Sequence, residues 1–338
     1  MRIEIITSLN SESKETGFGS HLACVNVVES MERMGHMATL SVCTSLNDLD
    51  NVTKRNPDLV VLAAKYMPVK DGNDIWFSEY FSKKKITFSG SSRETLKYDS
   101  DKVLAKLHLN NAGINTAKYF TAIPRQFHSK NDLPFLFPLF LKPIDAANGN
   151  GIDDLSFVQN FSDFTAKVFS LYNLYRLPIL VEEYLGGREF TVAIIETDTG
   201  RIITSAIEII PPESTKGLRI LGAEVKKLDT ESLKKIEEND IKSIVDLAIE
   251  AFIALGVRGF GRIDVKMDDN GKCYFMEANL VPGMNLGSSY FPQACKIANG
   301  MSYDKVISLI LEECLSRVIP KTIFSNSQSI ENHSLLIH

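Results

Sequence analysis

Apolar and polar residues follow two rhythms along this chain, and each change of rhythm predicts a new element. Residues 1–8, MRIEIITS, form an apolar and β-branched run that reads as a first strand. The charge at Glu4 inside it argues against a secretory signal. Leu22, Val25, Val28 and Met31 recur at helical spacing. They predict a helix over 21–34 that stops at Gly35, a residue free to take the left-handed turn after a helix. A second strand follows at 38–43. Residues 57–64, PDLVVLAA, are continuously apolar, the mark of a strand covered on both faces. A helix over 75–84 and a strand over 85–89 complete the pattern. Strands separated by helices predict a small parallel sheet in a first unit at 1–95.

The rhythm then changes. A helix is predicted over 100–112, closed by Gly113. Short strands follow at 119–122, 139–142, 156–158 and 179–182, with a helix at 162–171 before the last and Ser162 as its N-cap. These make a central unit at 96–185. A third unit at 186–318 opens with strands at 189–196 and 201–208 around Asp198-Thr199-Gly200. A long helix over 236–255 carries Ile244, Ala248, Ala251 and Phe252 on one side and ends at Gly256. Strands at 260–267 and 272–277 flank Asp269-Asn270-Gly271, a strong hairpin signal. A helix at 303–315 closes the unit, and the polar residues 319–338 read as a flexible tail. The predicted fold class is mixed α/β.

With 338 residues, 44% hydrophobic and 23% charged, the chain can bury several cores and is neither disordered nor fibrous. A net charge of −5 argues against nucleic acid or an anionic membrane as partner. No uncharged apolar run reaches the ~18 residues of a membrane span. The five cysteines, Cys24, Cys43, Cys273, Cys295 and Cys314, include no CxxC pair. They read as reduced thiols of a cytoplasmic protein rather than a disulfide or metal framework.

Four groups of residues carry candidate chemistry. Lys142 is the single charge in Phe137-Pro138-Leu139-Phe140-Leu141-Lys142-Pro143. A buried ammonium needs an anion beside it, although a strand-end lysine reaching water satisfies the same sequence. Just beyond, Ala147-Asn148-Gly149-Asn150-Gly151 has the backbone freedom to converge N–H groups on a phosphate, or to form a plain turn. Glu182, Glu183, Tyr184 and Leu185 end a strand and Glu189 opens the next. Acids there accept from an amino group or from ribose hydroxyls, or make a solvated turn.

The sharpest group is the strand pair Gly261-Arg262-Ile263-Asp264-Val265 and Phe275-Met276-Glu277-Ala278-Asn279. Period-two alternation puts Arg262 with Asp264, and Glu277 with Asn279, on one face. Pairing the strands gathers three hard oxygen donors, suited to Mg2+ with phosphate oxygens, and one guanidinium, whose rigid fork neutralises phosphoryl charge. A surface salt-bridge cluster is the competing reading, but the Asn279 amide has no part in ion pairing. Pro282-Gly283-Met284 beyond it offers further backbone N–H groups.

In this order and spacing, these motifs, together with Asp101-Lys102 and Gly187-Arg188-Glu189-Phe190-Thr191-Val192, resemble the ATP-grasp superfamily, and within it the D-alanine–D-alanine ligase group. The resemblance covers residues 91–315 well and the first 90 in layout only. It implies an ATP-grasp fold of three α/β domains at 1–95, 96–185 and 186–318, with ATP between the central, lid-like domain and the C-terminal one. It further implies Lys102 and Lys142 at the ATP phosphates, and a loop through Asn148, Gly149, Asn150 and Gly151 over the γ-phosphate. Glu182, Glu183, Tyr184 and Leu185 would hold adenine, and Glu189 the ribose. Asp264, Glu277 and Asn279 would bind two Mg2+ ions, or Mn2+ in their stead. Arg262 and the Gly283 N–H would stabilise an oxyanion, and Ser288 would hold the carboxylate of an incoming amino acid. A homodimer through the first domain is implied by analogy.

The family's pattern is not kept throughout. The phosphate loop lacks the family's paired serines, and Glu15-Thr16-Gly17-Phe18-Gly19-Ser20 stands where the family has a glutamate–serine signature. Ala64-Lys65-Tyr66-Met67-Pro68 replaces a histidine–glycine stretch, and the shortened loop at 211–228 keeps Lys216, Arg219 and Lys226 as candidate substrate cations. The expectation is an ATP- and Mg2+-dependent ligase that joins a small-molecule carboxylate to an amine through an acyl phosphate, with a substrate other than D-alanine. A ligase for a larger peptide or natural-product intermediate is the alternative within that class. A non-catalytic nucleotide-binding protein is the alternative outside it, and the retained acids, amide, arginine and lysines argue against it.

Overall fold

The apolar N-terminal run is β1 (Arg2–Thr7), the central strand of a parallel sheet in the order β2-β1-β3. Its neighbours are β2 (Met37–Val42) and β3 (Leu59–Leu62), and β3 is buried at every position, as a strand covered on both faces must be. The computed structural model describes residues 1–8, 17–69, 72–146, 149–214 and 216–318; Asn148 and the stretch read as a tail, 319–338, lie outside them. Between the strands, α1 (His21–Arg33) is capped by Ser20, which accepts from the Ala23 N–H. α2 (Leu46–Lys54) is a helix the apolar pattern misses: Ser45 and Asp48 cap it reciprocally, and its buried residues are only Leu49 and Val52. Residues 75–84 are not one helix. β4 (Tyr66–Met67) pairs with a short β5 (Ile75–Trp76), and α3 (Phe77–Lys83) starts after it. The strand expected at 85–89 reduces to a single bridge between Val60 and Phe88.

The helix expected at 100–112 is two helices, α4 (Arg93–Ser100) and α5 (Lys102–Asn111). Asp101 separates them in extended conformation and accepts from the Leu104 N–H at 2.9 Å, restarting the chain as a capped helix. Four antiparallel strands follow: β6 (Tyr119–Ala122), β7 (Leu139–Pro143), β8 (Phe157–Val158) and β9 (Ile179–Glu183), in the order β6-β9-β7-β8. α6 (Phe161–Tyr175) covers this sheet and is capped by Asn160 rather than Ser162. Leu139, Leu141, Phe164 and Val181 form a core that belongs to this sheet alone.

A five-stranded antiparallel sheet completes the fold, in the order β12-β11-β10-β13-β14. Its strands are β10 (Glu189–Glu196), β11 (Ile202–Ile210), β12 (Ser232–Lys235), β13 (Phe260–Met267) and β14 (Cys273–Asn279). With them come α7 (Ala223–Leu228), α8 (Glu238–Ala254), α9 (Tyr290–Asn299) and α10 (Tyr303–Val318). One continuous core runs from Ile5 and Val27 through Leu109 to Phe252 and Phe275, so the parallel sheet, α5 and the five-stranded sheet are packed together. The four-stranded sheet shares none of that core, which leaves it the more independent wall of the cleft between them. No helix of the described residues is long and apolar enough to cross a membrane.

Candidate active site

The register of β13 against β14 sets Arg262 opposite Asn279 and Asp264 opposite Glu277. The expected convergence of guanidinium, carboxylates and amide therefore exists. Arg262 grips Asp264 with a fork, Nε to Oδ1 at 2.9 Å and Nη2 to Oδ2 at 3.0 Å. Thr191, on the neighbouring β10, donates to Oδ1 at 2.6 Å, and the Asn279 amide donates to Oδ2 at 3.1 Å. The guanidinium lies over the Tyr290 ring, 5.4 Å from its centroid. Burial disfavours its charge, but Asp264 and then Glu277 outweigh that and keep Arg262 firmly protonated.

Glu277 lies 3.6 Å from the Lys102 ammonium. Burial pushes its carboxyl upward, yet Lys102, Lys226, Lys142 and Arg262 together hold it far below the usual carboxylate range. A depressed folded-state value stabilises the protein above the unfolded value, and that contribution is lost progressively as pH falls from the unfolded value through the folded one. The difference in melting temperature between wild type and Glu277→Gln is therefore expected to be constant near neutrality and to shrink below about pH 4. Thermal melts of both proteins across that range check this; a difference that does not narrow in acid contradicts it.

Three lysines stand around these acids, Lys142 from the facing four-stranded sheet and Lys102 and Lys106 from α5. Lys142 on β7 and Lys106 on α5 both pair with Glu182 of β9, at 2.7 Å to Oε2 and 2.6 Å to Oε1. All three side chains are buried, so Lys142 does not reach water as a strand-end lysine would. The Glu182 carboxylate is spent on these two ammoniums and is not offered to a ligand. Lys102, also buried, donates to the Ala146 carbonyl at 2.9 Å. Gly149 and Gly151 take positive φ of 72° and 78°, the left-handed turn expected of a backbone cradle. The loop rests on residues 220–223: a Cβ on Gly222 would lie 2.5 Å from the Ile152 carbonyl oxygen. Glu183 accepts from the Lys118 N–H at 2.8 Å, and Glu189 pairs with Lys266 at 3.1 Å.

Two cavities open between these walls. The narrower brings together Lys142, Glu182, Glu183, Tyr184, Leu185, Glu189, Asp264 and Glu277. The wider, about 720 Å3, is lined by Asn150, Arg262, Asn279, Gly283 and Ser288, with Lys65 and Asp99 from the first part of the chain. Lys226 borders both. Of the other cationic candidates, Arg219 binds Glu213 at 3.0 Å and borders the narrower cavity, whereas Lys216 is exposed and borders neither. Arg219 thus faces the acid-and-lysine cavity and not the one that holds Ser288.

Three contributors escape a sequence reading. Lys106 is one turn beyond Lys102 on the buried stripe of α5, a lysine in apolar register that is the single signal available. Thr191 lies inside an otherwise apolar strand, opposite Asp264. Asp99 accepts from the Leu280 N–H at 2.6 Å and pairs with Lys65 at 2.7 Å, tying the start of the 280–284 loop to the first unit, and nothing local reveals that contact.

Asp264, Glu277 and the Asn279 amide oxygen suit a hard cation by type. Among the described residues no three His, Cys, Asp or Glu side chains form a cage by themselves, so a cation here draws further ligands from elsewhere, as Mg2+ does when it binds phosphates. Cysteine chemistry is absent from the site: all five cysteines are buried free thiols, and burial pushes Cys24 and Cys295 up to about 11 and Cys43 and Cys314 up to about 12.

Two antiparallel sheets closing on a cleft of lysines and acids have a counterpart among solved structures. The D-alanine–D-alanine ligase from Bacillus anthracis complexed with ATP superposes with a TM-score of 0.71 at 20% identity, over 94% of this chain and 98% of that one. The fold is ATP-grasp. Residues 108–312 match the family model described as D-ala D-ala ligase C-terminus. The D-alanine–D-alanine ligase of Marinomonas sp. (strain MWYL1) is 30% identical over 268 residues, 77% of this chain and 78% of its own. That of Aquifex aeolicus (strain VF5) is 26% identical over 333 residues, 92% of this chain and 100% of its own. The chain belongs to the D-Ala–D-Ala ligase family of ATP-dependent, ADP-forming ligases.

Proposed function

We propose that this ligase joins a carboxylate to an amine through an acyl phosphate, that it requires Mg2+, and that its substrate pair is not two molecules of D-alanine. The observation that carries the reading is the Arg262, Asp264, Glu277 and Asn279 cluster facing Lys102 and Lys142 across one cleft. In the first step a carboxylate oxygen of the substrate bonds to the γ-phosphorus of ATP and ADP leaves. In the second the amine nitrogen attacks the acyl carbon, a tetrahedral oxyanion forms, inorganic phosphate departs and the nitrogen loses a proton.

Asp264, Glu277 and Asn279 would hold Mg2+, with Mn2+ an acceptable substitute. The metal, when bound, neutralises charge on the β- and γ-phosphate oxygens. Lys142 and Lys102 orient the triphosphate, with Gly149, Asn150 and Gly151 closing over its end and residues 183–185 and Glu189 holding the nucleoside, while the Glu182 side chain stays with its two lysines. Arg262 and the Gly283 N–H take the oxyanion, and Ser288 an acidic group of the acceptor. The independent core of the four-stranded sheet suits it to act as the lid that excludes water from the acyl phosphate.

The altered substrate rests on residues 17–20 and 64–68, where this chain departs from the family's pattern, and on Lys65 at the wall of the wider cavity. A larger acceptor such as a peptide is the second reading; the cavity of about 720 Å3 has room for it but lies within the ~300–1,000 Å3 of ordinary small-molecule pockets. With D-alanine as sole substrate, a coupled ADP-release assay is expected to stay near background. Robust turnover there removes the altered-substrate proposal. A screen of carboxylate and amine pairs then separates free amino acids from larger acceptors.

A further inference from the structure

Lys106 has no solvent exposure and borders neither cavity, so it touches no ligand, yet it shares the Glu182 carboxylate with Lys142. Its ammonium reaches Oε1 at 2.6 Å while Lys142 reaches Oε2 at 2.7 Å. The three groups come from different elements: α5 in the main core, and β7 and β9 in the four-stranded sheet. Two buried cations on one buried anion leave the trio with one excess positive charge, which Glu277 and, at Lys142, Glu189 offset only through space while burial works against the Lys106 charge, so an anion in the cleft beside Lys142 would complete it. The only member of the trio with a face on the cleft besides Glu182 is Lys142.

We infer that Lys106 is a positioning residue for nucleotide binding: it occupies half of Glu182 so that the charge of Lys142 remains uncompensated and is directed at the triphosphate. Without Lys106, Glu182 and Lys142 become a neutral pair, one carboxylate oxygen is left buried without a cation, and the ammonium facing the cleft turns inward. Lys106 also bridges the two walls, since α5 packs with the five-stranded sheet while Glu182 belongs to the four-stranded one. The trio therefore links occupancy of the phosphate site to the seating of one wall on the other. Burial alone pushes the Glu182 carboxyl up, and Lys106 and then Lys142 outweigh it, so the carboxylate stays ionised between them.

The inference rests on the ATP reading, and the test separates the two. ADP with Mg2+ is titrated calorimetrically into wild type, Lys106→Met, and Lys106→Met combined with Glu182→Gln. Lys106→Met is expected to weaken binding by about tenfold or more at unchanged stoichiometry, and the double variant, in which Lys142 again has no carboxylate to neutralise it, to recover most of the loss. A merely structural role lowers the folded fraction, and so the stoichiometry, without changing the dissociation constant. A dissociation constant for Lys106→Met within about twofold of wild type, or a double variant no tighter than the single, overturns the inference. Where Lys106→Met precipitates, Lys106→Gln, which keeps a donor for Glu182 but not the charge, is read in the same way. Failure of wild type to bind ADP overturns the ATP reading itself.

Discussion

Asp264→Asn and Glu277→Gln are each expected to lower ADP formation by at least about 10³-fold while the protein stays folded. Both changes keep shape and remove one negative charge from the same hairpin face. Glu277→Gln takes away the carboxylate that four cations hold ionised, and with it the strongest anionic ligand available to a divalent ion. Asp264→Asn keeps acceptors for Thr191 but leaves the Arg262 guanidinium without its counter-ion, so some loss of stability accompanies the loss of turnover. A coupled ADP-release assay with a productive substrate pair, together with circular dichroism, checks both effects. Normal turnover in the two variants would show that the hairpin acids hold no metal in the reaction.

Removing the guanidinium is expected to act twice. Arg262→Met leaves Asp264 buried with its fork gone, a loss of about 3–5 kcal/mol for one partner of a buried pair. It also deletes the cation assigned to the oxyanion, worth about 10²–10³ in turnover. Arg262→Lys separates the two effects. It keeps a charge beside Asp264 and restores part of the stability, but a point ammonium cannot reproduce the bonds from Nε and Nη2. Turnover is therefore expected to stay low in the lysine variant. Melting temperature and kcat measured on both variants decide the matter, and a lysine variant with wild-type kcat would mean that charge alone, without the fork, is sufficient.

The parts of this protein that were legible in its sequence are those fixed by local patterns. The Asp269-Asn270-Gly271 turn and the period-two strands around it made the hairpin legible and set Val265 opposite Phe275, but a β-bulge between Asp264 and Val265 then shifts the register by one and brings Glu277 opposite Asp264, and no sequence spacing announces that shift. The continuous apolar run at β3 announced a strand buried on both faces. The elements that escaped are short or held by capping instead of by an apolar stripe. α2 is set by Ser45 and Asp48, β5 has two residues, and α9 carries Pro292 in its first turn, where proline is tolerated but the pattern reads as a break. Long-range contacts escaped for a different reason. Lys106 with Glu182, Asp99 with Leu280, and the core shared between the first sheet and the last join residues far apart in sequence, and no local pattern encodes which charges will meet.

Every role proposed for these side chains requires a triphosphate and its divalent ions in the cleft between the four-stranded and five-stranded sheets. A crystal structure with a non-hydrolysable ATP analogue and Mg2+ tests it most directly. Phosphates are expected against Lys102 and Lys142, with metal density at Asp264, Glu277 and Asn279. A nucleotide bound elsewhere, or phosphates in the cleft with no metal at those three side chains under saturating Mg2+, would contradict it.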